Sequence, residues 1–258
     1  MKIPKSFLTK KDVSVEDMLK NTSDLKKKRR KDALDNLFLD FNDYYKEVKK
    51  GILKDNESYE FALECARNLR YDVCNLQDFV RYVVNYDDKS GLYVSALINN
   101  LLDSTVDEIR IEPLAPLDSL ANCISKGKLV IEGSVGQYLG WQMNGGELVV
   151  DGNATDYVGY NLEGGKIIVN GSVETDLGYD MNDGEIIIKG NAGEDVCNGM
   201  EGGKVTVYGN VEKVGAMDAG ELHVYGDIHQ KKFTEEIKGM IYLNDKKIWP
   251  KPNRRKKK

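Results

Sequence analysis

The chain has 258 residues, of which 31% are charged and 41% hydrophobic, and its formal net charge is −5. No stretch approaches the roughly 18 consecutive apolar residues of a membrane span, and the first residues lack the apolar core of a signal peptide. Its four cysteines are scattered without a Cys-x-x-Cys pair, which argues against a disulfide framework or a zinc ribbon. The composition therefore predicts a soluble cytoplasmic protein without a membrane partner.

Residues 1–105 are expected to form an α-helical domain. Apolar residues recur at helical spacing between about residues 23 and 50, where they define one face of a long helix, and Gly51 is suited to end it. The expected apolar face is Leu34, Leu37, Phe38, Phe41 and Tyr45. Further helices are predicted after Ser14, after Ser58, after Asn75 and from Gly91 to Leu102.

Residues 106–245 are organised by a short glycine-bracketed repeat. Its first glycines, spaced by 19 residues and finally by 17, are Gly127, Gly146, Gly165, Gly184, Gly203 and Gly220. Self-similarity at a short period is typical of a solenoid, in which each repeat buries its apolar face against its neighbours. A 19-residue unit is too short for two helices but can hold short strands joined by tight corners.

Apolar residues within each unit alternate as strands require, beginning with Ile109 and Ile111 and continuing with Leu129 and Ile131. Further apolar rows recur in register through Val135, Leu139 and Met143 and their equivalents 19 residues on. Stacked coils would place these rows inside one narrow column. The predicted fold is thus α+β: a helical domain followed by a parallel β-helix.

One exposed row supports the stacking independently of hydrophobicity. The residue after the first glycine of each repeat reads Lys128, Glu147, Lys166, Glu185, Lys204 and Glu221. Equivalent residues of a parallel stack lie about 4.8 Å apart, so strict alternation places every charge between two opposite ones. Such a row is expected to fix register more than to add stability.

The repeat resembles the GXGXG β-helix family. The resemblance is carried by glycines at the corner, a methionine, a glycine pair and an alternating strand, as in Gly140–Gly152 and Gly159–Gly171, and it covers about residues 108–245. This family includes the C-terminal domain of the glutamate synthase large subunit and one of the subunits of formylmethanofuran dehydrogenase. The resemblance implies a right-handed winding and a structural rather than catalytic role. Cys197 and Asp183 replace expected glycines, so these two corners are expected to depart from the family geometry.

Charge is unevenly distributed along the chain. Residues 106–245 carry a net charge of −14, whereas residues 246–258 carry +8 and contain no acidic residue. We expect 246–258 to be a disordered basic tail. The tail and the basic run 26–31 could contact phosphate, but the acidic β-helix would repel nucleic acid, so a nucleic-acid partner is not expected.

Motifs for catalysis are scarce. The sequence has no dinucleotide-binding or P-loop motif, and no cofactor or metal is predicted. A stand-alone hydrolase would need His223 or His229 as its base, because these are the only histidines. The corner carboxylates, which could act as an acid–base pair or hold a cation but are expected to be solvated, are Asp156, Asp176, Asp180, Glu194 and Asp195.

Two rows of side chains are candidate interaction sites. Trp141, Tyr160 and Tyr179 share one repeat position and should form an aromatic ladder, which either anchors a partner or stabilises the solenoid internally. The residues that point outward from successive strands are Val130, Val149, Ile168 and Ile187, followed by Thr206 and His223. We expect this aliphatic stripe to be covered by the N-terminal helices or by another subunit, and its Thr206–His223 end to be open.

These observations predict a non-catalytic structural or interaction module whose partners are other protein subunits, within a glutamate synthase-like or formylmethanofuran dehydrogenase-like oxidoreductase assembly. Two alternatives remain at this point. One is the stand-alone, esterase-like hydrolase. The other is a self-assembling β-helical scaffold, which would require open ends on the solenoid.

Overall fold

A computed structural model describes residues 27–49, 55–83, 88–104 and 106–250. Within these ranges a small helical region precedes a parallel β-solenoid, which confirms the two-part architecture predicted from the repeat. The helices are α1 (Lys27–Lys49), α2 (Asp55–Asn68), α3 (Val73–Tyr82) and α4 (Asp88–Ser104). The strands are β1 (Glu108–Ile111), β2 (Lys128–Ile131), β3 (Asn144–Val150), β4 (Gly164–Val169), β5 (Glu185–Ile188), β6 (Lys204–Val207), β7 (Glu221–Val224), β8 (Met240–Leu243) and β9 (Lys246–Trp249).

The helices pack their apolar faces together. Phe41 of α1 lies 5.8 Å from Phe79 of α3 and 5.2 Å from Tyr93 of α4, measured between ring centroids. Helix α3 begins at a capping box that pairs Asp72 with Asn75. The helix expected after Ser14 and the stop expected at Gly51 lie outside the described residues. None of the described helices has the length and apolarity needed to cross a membrane.

The described strands follow one another in chain order across a single sheet, and β1 to β8 are parallel. Register follows the repeat: Leu129 pairs with Leu148, and Leu148 with Ile167, each 19 residues on. Their side chains are fully buried. Three further buried rows complete the column, and they contain Val135, Ala154, Val173, Ala192 and Val211; Leu139, Val158, Leu177 and Val196; and Met143, Leu162, Met181 and Met200.

The corner at Cys197 keeps the geometry of the other corners despite the substitution. Gly140 and Gly159 have φ of 68° and 70°, and Cys197 adopts 62° at the same position. The left-handed region costs a residue with a side chain about 1–2 kcal/mol, which the complete burial of the Cys197 thiol can offset. The expected departure at this corner is therefore not found.

Other glycines are required by close packing between coils. A Cβ on Gly152 would lie 2.5 Å from the carbonyl carbon of Gly133 in the preceding coil. Gly171 and Gly190 meet the same obstacle, since the backbone of the preceding coil again lies within 3 Å of such a Cβ. Glycine at this position allows successive coils to approach to hydrogen-bonding distance.

Helix α4 closes the first end of the solenoid. The first coil has no preceding coil to pair with, and side chains of α4 take its place. Ser95 Oγ donates to the carbonyl oxygen of Ser119 at 3.1 Å and accepts the backbone N–H of Asn122 at 3.3 Å. Asn99 Nδ2 donates to the carbonyl oxygen of Asn122 at 2.9 Å. Backbone groups that a preceding coil would satisfy are thus paired in the interior.

A hairpin closes the second end. Strand β8 adds one more parallel coil, and β9 then returns antiparallel beside it. Trp249 donates its indole N–H to the carbonyl oxygen of Ile237 at 2.6 Å and packs against Phe233. The start predicted for the disordered tail is too early, because Lys246–Trp249 is a strand of the sheet. Residues 251–258 lie outside the described part of the chain.

Candidate functional site

The outer face of the sheet is the broadest regular surface of the solenoid. Three rows of side chains point outward from it. The charge row is Lys128, Glu147, Lys166, Glu185, Lys204 and Glu221. The central row is Arg110, Val130, Val149, Ile168, Ile187, Thr206, His223 and Tyr242. The third row is Glu132, Asp151, Asn170, Lys189, Tyr208, Tyr225 and Asn244.

The middle of the central row is apolar and accessible. Val130, at its start, is buried, whereas Val149, Ile168 and Ile187 are half-buried, although each points away from the column. The N-terminal helices contact β1 and the first coil, and so they do not account for the covering expected over these last three residues. The structure leaves them available to a partner.

The expected open end of this row is closed. Thr206 is only 6% exposed, and the His223 ring stacks on Tyr242 with centroids 4.4 Å apart and planes 10° from parallel. Tyr242 belongs to strand β8, whose sequence does not carry the glycine repeat. The prediction of an open Thr206–His223 end was therefore wrong, because an eighth parallel strand follows the last recognisable repeat.

The charge row forms ion pairs between coils. Lys128 Nζ lies 3.0 Å from Glu147 Oε1, and Lys166 Nζ lies 2.8 Å from Glu185 Oε2. The hydrogen bond from Lys166 to Glu185 raises the pKa of the lysine, and the negative charges of Glu185 and Glu147 raise it further. These side chains are about one third exposed, so each pair contributes about 0.2–1 kcal/mol at most.

The third row changes character along the sheet. Asn170 donates to Asp151 at 2.8 Å, whereas Lys189 lies 4.1 Å from the centre of the Tyr208 ring. The Tyr208 ring stacks on Tyr225 with centroids 5.1 Å apart. Carboxylates therefore occupy one end of this row and aromatic rings the other.

The aromatic corner consists of Tyr138, Trp141, Tyr157, Tyr160 and Tyr179, all half-buried. Trp141 stacks on Tyr160 as predicted, with planes 17° apart, but Tyr160 meets Tyr179 edge-on at 70°. A second row, missed in the sequence, places Tyr138 against Tyr157 at 4.9 Å and 8°. Its signal was available, because both tyrosines stand three residues before a member of the predicted ladder. The carboxylate of Asp176 raises the pKa of Tyr157, which lies beside it in the preceding coil.

The two histidines are bound into contacts with carboxylates. His223 Nε2 lies 3.0 Å from Glu221 Oε2, and His229 Nδ1 lies 3.0 Å from each carboxylate oxygen of Glu212. The His223 ring also stacks on Tyr242. Either ring could act as a base only toward a nucleophile placed beside it, and these neighbours are not nucleophiles of the serine or cysteine kind.

Three cysteines lie in surroundings that disfavour the thiolate. Burial raises the pKa of Cys65 to about 11 and the pKa of Cys123 to about 12. The completely buried Cys197 has its pKa raised still further by loss of water. A nucleophilic cysteine requires a lowered pKa, so these three have the opposite character.

The corner carboxylates serve mainly to connect coils. The hydroxyl of Thr175 donates to Asp156 at 3.0 Å and to Asp176 at 2.9 Å, and Lys213 pairs with Asp195 at 2.6 Å. Partial burial raises the pKa of Asp180. Among the described residues, no group of three His, Cys, Asp or Glu side chains is arranged to hold a metal ion.

A ladder of polar side chains runs along another corner and was also missed in the sequence. Asn153 accepts the backbone N–H of Ser172 at 2.8 Å, and Asn191 accepts that of Asn210 at 2.8 Å, each from the next coil. The complete ladder is Ser134, Asn153, Ser172, Asn191, Asn210 and Asp227. Each member directly follows the closing glycine of a repeat, a regularity readable in the sequence.

A polar cleft of about 350 Å³ lies between α3 and β1. Arg81 pairs with Glu112 across it, and Arg110 lies 2.9 Å from Glu108 and 3.8 Å from Glu132. The glutamates thus neutralise both arginines that line it. The cleft joins the helical region to the solenoid, and its paired arginines make it a poor site for an anionic ligand.

Comparison with known proteins adds no assignment. No protein-family model matches the chain. No curated protein shows significant sequence similarity to it. Function is therefore inferred from the surfaces described above.

Proposed function

We propose that this chain is a non-catalytic interaction module that holds other protein subunits against a rigid solenoid. The observation that carries the proposal is the row of half-exposed aliphatic side chains at Val149, Ile168 and Ile187, framed by ordered charges. Contiguous apolar surface on a soluble domain marks interaction sites. The aromatic corner is the second proposed contact surface, since tyrosine and tryptophan are enriched in the cores of protein interfaces.

The repeat pattern extends the proposal to a class of assembly. Its similarity to the GXGXG family supports a right-handed winding and a place beside the catalytic subunits of an oxidoreductase of the glutamate synthase or formylmethanofuran dehydrogenase kind. Redox and amide chemistry would reside in those other subunits. The role of this chain would be to position them.

The surroundings of the candidate reactive groups favour this role over the stand-alone hydrolase. Both histidines contact glutamates, and burial disfavours the thiolate of three cysteines. End-to-end polymerisation is disfavoured as well, because α4 occupies one end of the solenoid and the β8–β9 hairpin the other.

The test is to isolate the tagged full-length chain with its bound partners from its source cells and to repeat the isolation with variants. Ile168→Asp places a charge in the centre of the aliphatic row and should reduce the recovered assembly at least tenfold. Tyr138→Ser with Tyr157→Ser should weaken capture of any subunit held at the aromatic corner.

Leu114→Asp is the matched control, because Leu114 is an aliphatic residue that is 70% exposed and lies outside both surfaces. It should leave the assembly intact. Full recovery of the same partners by all of these variants would remove the proposal. Ester hydrolysis by the purified chain that disappears with His223→Ala or His229→Ala would favour the hydrolase instead.

A further inference from the structure

The outer sheet face carries charges and side chains that complement its own. We propose that a second copy of this chain covers it, sheet against sheet, about a twofold axis parallel to the strands and midway between β4 and β5. This inference rests on the proposed function in one respect, since it takes the same face to be an interaction surface. It names the occupant of that face, which leaves the aromatic corner for other subunits.

The geometry follows from the symmetry operation. Rotation about an axis along the strands keeps strand direction and reverses strand order. Each row therefore faces the same row of the partner, read backward. Strand β4 faces the partner's β5, β3 faces its β6, β2 faces its β7, and β1 faces its β8. All eight parallel strands take part, because the axis passes through the middle of the stack.

The charge row becomes complementary under this operation. Six charges of alternating sign, read backward, have every sign inverted. Lys166 faces the partner's Glu185, Glu147 faces the partner's Lys204, and Lys128 faces the partner's Glu221. The Lys166–Glu185 pair within each copy then meets its reversed equivalent, which gives a square of alternating charges at the axis.

The central row becomes an apolar seam. Ile168 faces the partner's Ile187 across the axis, and the same contact occurs twice by symmetry. Val149 faces the partner's Thr206, which offers its methyl group. At the ends, Arg110 faces the partner's Tyr242, a pairing suited to guanidinium–ring stacking. The seam therefore has an apolar centre and polar ends, as protein interfaces commonly do.

The third row contains no pairing of like charges. Asp151 faces the partner's Tyr208, and Glu132 faces the partner's Tyr225, so carboxylates meet aromatic rings that carry hydroxyl donors. Asn170 faces the partner's Lys189. The carboxylate end and the aromatic end of this row, which have no evident reason to differ within one chain, match one another between two copies.

Competing arrangements bring like charges together. A shift by one strand places Lys166 opposite the partner's Lys204 and Glu185 opposite the partner's Glu185. A twofold axis along the solenoid instead places Glu147 opposite the partner's Asp151. Juxtaposed like charges suppress wrong registers, so the alternation specifies one packing and disfavours its neighbours.

The available area suits a reversible dimer. Eight strands at about 4.8 Å spacing, each with five residues at about 3.3 Å, make a face of about 600 Å² per copy. Both copies together would bury about 1,200 Å², which is the lower limit for specific interfaces. We therefore expect dimerisation to depend on protein concentration and to weaken as ionic strength rises.

Charge reversal with mixing tests the inference on the purified full-length chain. Wild-type protein should sediment at twice its monomer mass of 29.0 kDa at high concentration and dissociate on dilution. Glu185→Lys alone and Lys166→Glu alone should each be monomeric, because each copy would meet its own like charge. An equimolar mixture of these two variants should recover the dimer, since every facing pair is again opposite in sign.

Glu174→Lys, an equal charge change at an exposed corner away from the sheet, is the control and should dimerise like wild type. Circular dichroism checks that the variants are folded. If either is not, Glu147→Lys and Lys204→Glu, the next facing pair, replace them. A monomeric wild type, dimeric single variants or a mixture that stays monomeric would each overturn the inference. Partner capture through the aromatic corner is measured separately, so this failure is distinguishable from failure of the proposed function.

Discussion

At the scale of the residue, the main role of a polar side chain here is to bond the same position in the next coil. Asn191 illustrates this: its own N–H donates to Ser172 Oγ at 3.0 Å, and its side-chain oxygen accepts the N–H of Asn210 at 2.8 Å. A six-member ladder of this kind repeats one bond along the solenoid. Each bond adds little, but together they hold the corner in register.

We predict that Asn191→Ala destabilises the solenoid by about 0.5–1.5 kcal/mol, because the N–H of Asn210 loses its acceptor at a site that water can partly reach. Asn191→Asp keeps an oxygen in place and should cost less than half as much. Denaturation by urea, followed by circular dichroism, measures both. Equal losses for the two variants would mean that the side-chain oxygen is not what matters there.

At the scale of the element, helix α4 substitutes for a missing coil. Its buried Ser95 and Asn99 bond the backbone of Ser119 and Asn122, at the positions where a preceding turn would otherwise bond. Gly91 makes the contact possible, since a Cβ there would lie 1.7 Å from the carbonyl oxygen of Asp118. The helical region is therefore part of the structure that terminates the solenoid.

We predict that Ser95→Ala lowers stability by about 1–3 kcal/mol, since it leaves the buried N–H of Asn122 without an acceptor. Ser104→Ala is its control: that hydroxyl bonds Leu101 at the exposed end of the same helix, and its loss should cost about 0.5 kcal/mol or less. The midpoint of urea unfolding compares the two. Equal midpoints would show that α4 covers the first coil without bonding it.

The sequence predicts the elements that repeat and fails where repetition stops. The strands, the column and the alternating charges could all be read from it because each recurs with the period of the coil. Strand β8 and the burial of Thr206 could not, because both depend on a segment that lacks the glycines and pairs only in three dimensions. The role of Ser95 was hidden for the same reason, since its partners lie 24 and 27 residues away in another element.

The candidate sites were predicted less completely than the fold. The aliphatic row and Trp141, Tyr160 and Tyr179 were identified from period alone. The second aromatic row at Tyr138 and Tyr157 was missed, although the period was present in it too. Which part of a row remains exposed depends on neighbouring elements, and a sequence pattern does not contain that information.

At the scale of the whole molecule, a rigid column with closed ends leaves its sides for interaction. The sheet face presents an apolar seam between ordered charges, and the aromatic corner presents five packed rings. We infer that other polypeptides hold the chain at these two surfaces. Contact there would reduce the accessibility of particular side chains, which can be measured directly.

Hydroxyl-radical labelling, read residue by residue by mass spectrometry, is the most direct test. It compares the chain in its isolated assembly with the dilute purified chain. Ile168, Ile187 and Tyr157 should be labelled several-fold less in the assembly, while Leu114, 70% exposed and outside both surfaces, should be labelled equally in both. Unchanged labelling of Ile168, Ile187 and Tyr157 would contradict the account.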